Sequence, residues 1–479
     1  MKEGTTKKTV FSGLFWRFAE RFGAQGVSLV VSVVLARLLD PGVYGTVALV
    51  TVFTNILETF ADSGFGNALI RKKDADDLDF STVFWFNTGI SCLLYLLMFI
   101  LAPSIARFYS DPALTSVVRV LSLTLVVFGV KNLLQAFVSR NMLFRKFFFA
   151  TLGGTIGAAV IGIRMAYAGF GIWALIAQQL FNTLMDTIIL WISVRWKPRR
   201  NFSFSRLKEL FGYGWRILAS GVIDKVYNEL RQLIIGKLYT TTDLANYNRG
   251  RQFPNMLVTN INTAIDSVLL PALANEQDDR VRVKMMTRRA IKVSVYVLAP
   301  LMIGLICTAD PLVRLMLTEK WLPCIPYLRI FCITYIFYPI HTANLNAIKA
   351  MGRSDIFLKL EIAKKAVGLI ALFATMRLGV MAMAYSLLFT SLASQVINSW
   401  PNKKLLDYSY FDQMKDILPS VLLAAVMGAV VYPVIFLPVP DAVKIVLQVI
   451  TGAVVYITES KLLKPDSYEY LKDAVKIRH

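Results

Sequence analysis

The sequence predicts an all-α polytopic membrane protein, and three observations carry that prediction. Of 479 residues 56% are apolar and only 17% charged, with a mean hydropathy of +0.55, too little polar surface to cover the two or three soluble domains such a length would form. Apolar runs of about 20 residues, the length that crosses a ~30 Å hydrocarbon core, recur from end to end. Third, the basic residues between those runs fall on alternate sides in a ratio of four to one.

Taken in order, fourteen runs are expected, at 12–36, 43–66, 80–106, 114–138, 147–167, 172–194, 209–236, 252–273, 293–309, 322–348, 360–376, 380–399, 417–437 and 442–460. The seventh, eighth and tenth are the least sharply bounded. The first is interrupted by Arg17, Glu20 and Arg21 and is followed by no small-residue cleavage site, so it reads as a span and not a signal peptide. Connections are short, which excludes an inserted soluble catalytic domain.

The net charge of +21 would ordinarily suggest nucleic acid. Its distribution argues otherwise. On the side of the N-terminus the loops and tails hold 32 Lys and Arg, against 8 on the opposite side and 12 within spans. A bias that keeps phase through every loop orients the chain with both termini cytoplasmic, and an odd number of spans would break the phase. No nucleic-acid partner is expected. Cys92, Cys307, Cys324 and Cys332 have no metal-ligand spacing and read as apolar fillers, with a Cys307–Cys324 bridge as the alternative. No metal is expected; Asp74, Asp76, Asp77 and Asp79 read as a solvated loop.

An internal repeat is visible. Trp16-Arg17 through Leu35-Ala36-Arg37-Leu38-Leu39 to Asp40 and Tyr44 corresponds to Trp215-Arg216 through Ile235-Gly236-Lys237-Leu238-Tyr239 to Asp243 and Tyr247. Pairing span 1 with span 7 makes the repeat parallel. It predicts a six-helix lobe over 1–200, a second over 201–400, two further helices and a cytoplasmic tail over 401–479, and a central cavity between the lobes.

Fourteen spans arranged in this way, the Trp-Arg opening, the Ala-Arg-Leu-Leu-Asp-Pro-Gly-x-Tyr-Gly turn at 36–45 and Leu-Leu-Pro-Ala-Leu at 269–273 resemble the polysaccharide transporter family. This is the Wzx-type (WzxC-like) branch of the multidrug/oligosaccharidyl-lipid/polysaccharide exporter superfamily. The resemblance implies translocation of an undecaprenyl-pyrophosphate-linked oligosaccharide from the cytoplasmic to the periplasmic leaflet of the bacterial inner membrane, without an ATPase domain or catalytic residues. Polysaccharide polymerase and assembly proteins are the partners it suggests.

The residues suit such a cargo. A pyrophosphate carrying about two negative charges is prohibitive to bury unpaired in hydrocarbon, so intramembrane cations facing a wet cavity are needed. The deep cations are Arg17, Arg21, Lys131, Arg216 and Lys225. Helical spacing groups further polar residues with them. Glu20 lies beside Arg17 and Arg21 on span 1, and Asn55, Glu58 and Asp62 share a face of span 2. Asp224, Asn228, Glu229 and Arg231 follow Arg216 and Lys225 on span 7, and Asn255, Asn262 and Asp266 line span 8. These serve as cavity polar groups, gates or ion-coupling sites. Simple packing pairs, Arg21 with Glu58 or Arg216 with Asp266, are the competing reading. No cofactor is expected; H⁺ or Na⁺ counter-transport is an alternative to drive by the membrane potential alone.

Three other functions remain open. Two share the fold: a peptidoglycan-precursor (lipid II) flippase and a multidrug or cation antiporter, the latter expected to concentrate acidic groups where span 1 offers two arginines and one glutamate. A membrane-embedded polysaccharide polymerase or ligase is more remote, because it would need a large outward loop.

Overall fold

The structure, a computed structural model, describes residues 3–476 apart from Ser63, Lys73 and Arg195. Among these residues there is no strand. The chain divides into two compact units, one up to Ala245 and one from Asn246.

The first unit contains α1 (Glu3–Leu38), α2 (Pro41–Asp62), the short α3 (Phe65–Arg71), α4 (Asp77–Tyr109), α5 (Leu114–Leu121), α6 (Leu123–Arg140), α7 (Phe144–Tyr167), α8 (Ile172–Ser193), α9 (Phe204–Leu238) and the start of α10 (Thr241–Asn275). Within it α1 packs on α7, α7 on α8, α6 on α4 and α8, and α9 along α2. The second unit takes the rest of α10, then α11 (Arg280–Leu317), α12 (Ile325–Ile336), α13 (Tyr338–Ala350), α14 (Ser354–Thr375), α15 (Val380–Leu405), α16 (Tyr410–Val431), α17 (Asp441–Leu463) and α18 (Asp466–Lys476). Here α11 is central, packed against α12, α16 and α17, while α14 lies on α15.

Twelve spans among the described residues are long and apolar enough to cross a membrane. Two expected spans, the seventh and eleventh, coincide with helices α9 and α14 but are not among the twelve. Both are charge-rich: α9 carries Arg206, Lys208, Glu209, Arg216, Asp224, Lys225, Glu229, Arg231 and Lys237. Side chains such as Leu93, Leu96 and Ile100 on α4 are exposed, as lipid-facing residues must be.

Both copies of the sequence repeat have the same local form. A helix of 36 residues, α1, ends at Leu38 and α2 starts at Pro41; a helix of 35 residues, α9, ends at Leu238 and α10 starts at Thr241. At the second turn Asp243 accepts hydrogen bonds from the Thr240 amide at 3.1 Å and its hydroxyl at 2.7 Å. The two turns meet. A Cβ on Gly45 would stand 1.7 Å from the Thr241 carbonyl oxygen, so only glycine permits this approach. At the other end of α2, Gly64 combines φ 70° with a virtual Cβ 2.7 Å from the Gly214 carbonyl oxygen.

Small residues also bring α7 onto α8. Gly153 and Gly157, at GxxxG spacing, meet only side-chain atoms of Ile189 and Phe181, whereas Gly154 faces the Asn182 oxygen and Asp186 nitrogen of the α8 backbone at 3.1 Å. Pro339 follows the break at Phe337 between α12 and α13, where it withholds the amide that would bond to Tyr335. Pro300 lies inside an α11 that runs unbroken. All four cysteines are free thiols.

Candidate functional site

The first unit encloses a cavity of about 280 Å³ where α1, α2, α8 and α9 converge. Ser28 and Ser32 reach it from α1, Thr51 and Asn55 from α2, Gln178 and Gln179 from α8, and Gln232 from α9. The pairs at i and i+4 put the polar groups of α1 and α2 in single stripes. No ionisable side chain other than the Tyr44 phenol lines it among the described residues. Amide and hydroxyl groups supply paired donors and acceptors without a fixed charge, the complement of vicinal sugar hydroxyls.

Charges flank this cavity and are bound to one another. Glu229 of α9 is buried, and its carboxylate accepts from Asn55 at 3.3 Å and from Gln232 at 2.5 Å while pairing with Lys225 at 3.3 Å. Two cavity amides are therefore oriented by one buried carboxylate. Lys131 of α6 pairs with Asp186 of α8 at 2.5 Å. Asp62 accepts from Asn132 at 2.7 Å. Glu58 has no salt bridge among the described residues; the cations acting on it are Lys131 and Lys225.

The remaining sequence candidates divide as follows. Glu20 and Arg21 are half-buried on α1, whereas the Arg17 side chain lies outside the described residues. Arg216 is exposed, its guanidinium 5.8 Å from the Trp215 ring centroid. Asp224 is half-buried, Asn228 exposed and Arg231 buried on α9. Asn255, Asn262 and Asp266 belong to the second unit, where Asp266 accepts from Asn346 at 2.7 Å and Asn262 is buried. Of the five deep cations, then, Lys131 and Lys225 are held by carboxylates. Sequence reasoning missed Gln178, Gln179 and Gln232. An amide pair amid the apolar residues of α8 was the available signal.

The second unit has its own polar core. Asn344 of α13 donates to Gln413 of α16 at 2.8 Å and accepts from Asn402 of α15 at 2.6 Å, while Ser399 donates to Gln413 at 2.9 Å. All four side chains are buried, so this network fixes helix positions rather than meeting a ligand.

The acidic loop has a local structural role. Asp76 forms a capping box with Asp79 at the start of α4, and the Asp79 amide it accepts holds its carboxyl below the usual carboxylate range. Asp79 is buried and paired with Lys72 at 3.2 Å, and Asp77 with Arg199 at 3.0 Å. Among the described residues no group of three potential metal ligands gathers anywhere.

Residues 34–326 match the family described as Polysaccharide biosynthesis protein. The chain belongs to that family. It is 25% identical over 435 residues to the teichuronic acid biosynthesis protein TuaB of Bacillus subtilis, covering 86% of this chain and 88% of TuaB. It is likewise 25% identical over 421 residues to the lipopolysaccharide biosynthesis protein WzxC of Escherichia coli, covering 86% and 82%. The fold is that of the lipid II flippase MurJ in an inward closed conformation, with a TM-score of 0.77 at 14% identity over 95% of this chain and 99% of that one. This member of the polysaccharide biosynthesis family is accordingly a multi-pass membrane protein of the MurJ fold.

Proposed function

We propose that the protein is a flippase, not an enzyme, that moves undecaprenyl-pyrophosphate-linked oligosaccharide repeat units from the cytoplasmic to the periplasmic leaflet by alternating access, supplying O-antigen, capsule or exopolysaccharide assembly. The observation that carries the reading is an amide- and hydroxyl-lined cavity inside a membrane-spanning unit of a polysaccharide biosynthesis protein, flanked by intramembrane cations. Lipid-facing helices do not hold such groups without a function.

The proposal includes fourteen spans, two six-helix lobes followed by two helices, both termini cytoplasmic in the bacterial inner membrane, and hand-over of product to a polymerase. Arg17, Arg21 and Arg216 are its cations for the pyrophosphate, with Lys131 and Lys225 contributing field through their ion pairs. Moving one charge through 100 mV is worth about 2.3 kcal/mol, so export of a dianionic headgroup from a negative cytoplasm gains roughly 4 to 5 kcal/mol per 100 mV. Counter-transport of H⁺ or Na⁺ through Glu58, Asp62, Asp224 or Asp266 is the alternative drive.

Complementation of a flippase-null strain of defined repeat-unit structure tests the reading. Wild-type protein restores surface polysaccharide, and Arg216→Ala abolishes it while the protein remains in the membrane. Normal polysaccharide from Arg216→Ala at native expression removes that residue from the mechanism. Rescue of a strain lacking its lipid II flippase instead would reassign the cargo to the peptidoglycan precursor.

A further inference from the structure

We propose that a second cavity, of about 290 Å³ between residues 285–293 of α11 and the start of α18, binds the phosphate-bearing headgroup of an anionic membrane phospholipid. Its walls include Arg288, Arg289 and Lys292 of α11 and Asp466, Ser467 and Tyr470 of α18.

The charges of this site are unequally satisfied. Arg288 donates to Asp416 through two bonds of 2.6 and 2.7 Å, and Lys292 pairs with Asp466 at 2.7 Å and Asp416 at 3.1 Å. Two carboxylates thus neutralise two cations and pin α11 to α16 and α18. Arg289 is the surplus. Among the described residues it has no carboxylate partner, and its guanidinium rests 4.3 Å from the Tyr470 ring centroid. A guanidinium fork pre-oriented on an aromatic face, with its donors unspent, is the arrangement that recognises phosphate oxygens in a bidentate manner. Ser467, only 5% exposed and lining the cavity, has no hydrogen-bond partner among the described residues and offers a further donor.

The position favours a lipid over a soluble anion. Met285 and Val293 supply an apolar wall beside the cations, and the apolar run of α11 begins at Val293, which sets the cavity at headgroup depth. Basic pockets between helix ends on the face rich in Lys and Arg attract anionic headgroups. This site lies in the unit that does not contain the amide-lined cavity, and it stands whatever cargo is carried.

The test uses full-length protein in a zwitterionic detergent, with retention of phosphatidylglycerol and phosphatidylcholine followed by native mass spectrometry. Phosphatidylglycerol is expected to bind preferentially, and Arg289→Gln to weaken it about five- to tenfold with unchanged melting in phosphatidylcholine. Ser467→Ala, which leaves every ion pair in place, should weaken it by a smaller factor. Arg280→Gln removes a charge at the start of the same helix but outside the cavity and should change nothing. Equal retention by Arg289→Gln and wild type overturns the site, as does an Arg280→Gln loss of the same size. Displacement of the lipid by an equal concentration of inorganic phosphate overturns the lipid as its occupant.

Discussion

Gly45 closes the 36–45 turn, and the structure explains why no side chain is tolerated there. Its virtual Cβ falls 1.7 Å from the Thr241 carbonyl oxygen, well inside the 3.0 Å floor for real contacts, and the obstacle is backbone rather than a yielding side-chain tip. Gly45→Ala therefore has to separate the α1–α2 turn from the α9–α10 turn by more than 1 Å. Overpacking of this kind costs about 1–3 kcal/mol. Applied to a two-state gate, the same energy shifts the populations about 5–150-fold toward the state in which the turns are apart. The assay is labelling of a cysteine placed at Gln232, in a background without the four native thiols, by an impermeant maleimide added from the periplasmic side. Faster labelling together with lost complementation is expected. Wild-type labelling and full complementation by Gly45→Ala would refute the argument that this contact holds the cavity closed.

Other consequences follow from particular contacts. Asp186→Asn leaves the half-buried Lys131 without its ion-pair partner, which should cost less than the ~3–5 kcal/mol of a fully buried pair yet lower the melting temperature in detergent, whereas the double variant with Lys131→Met should recover most of it. Normal transport by that double variant would make the pair structural. Gly154→Val drives a branched side chain into the α8 backbone and should destabilise the protein by at least about 1–3 kcal/mol, measurable by thermal denaturation, with Gly153→Ala milder because only a side-chain tip opposes it. Lys292 holds the Asp466 carboxyl below the usual carboxylate range. The folded value is depressed, so the stabilisation of α18 is fully present above about pH 4 and is lost as pH falls through the folded value. Limited proteolysis after α17 should accelerate only at the acid end, and protection that stays constant as pH falls well below the usual carboxylate range would contradict the pairing.

Much of the fold was legible because apolar length is a local property. Each expected run falls on helix, though the fourth is divided between α5 and α6 and the tenth between α12 and α13, and the turn at 36–45 does punctuate two long helices. The pairing of the charges was not legible. Lys131, for which spacing suggested no partner, pairs with Asp186 of α8, and Asp266 accepts from Asn346. Spacing gives the face of a helix but not its neighbour, and the choice of neighbour decides the pair. The same limit explains why the close α7–α8 approach falls on Gly154 and not on Gly153 or Gly157, whose GxxxG spacing is visible in the sequence: rotation about the helix axis is set by packing. Of the cavity amides Asn55 was legible, because it shares a face of α2 with Glu58 and Asp62, whereas Gln178, Gln179 and Gln232 were not, although Gln232 and Asn55 are oriented by the same carboxylate, Glu229.

The most direct measurement is translocation itself, by purified protein in liposomes loaded on one leaflet with undecaprenyl-pyrophosphate-linked oligosaccharide, read by the fraction of sugar exposed to an added glycosidase. Protein-dependent exposure that rises when a potassium gradient and valinomycin make the loaded side negative is the predicted result. Exposure no faster than in protein-free liposomes, under either polarity and with H⁺ or Na⁺ gradients supplied, would contradict the account.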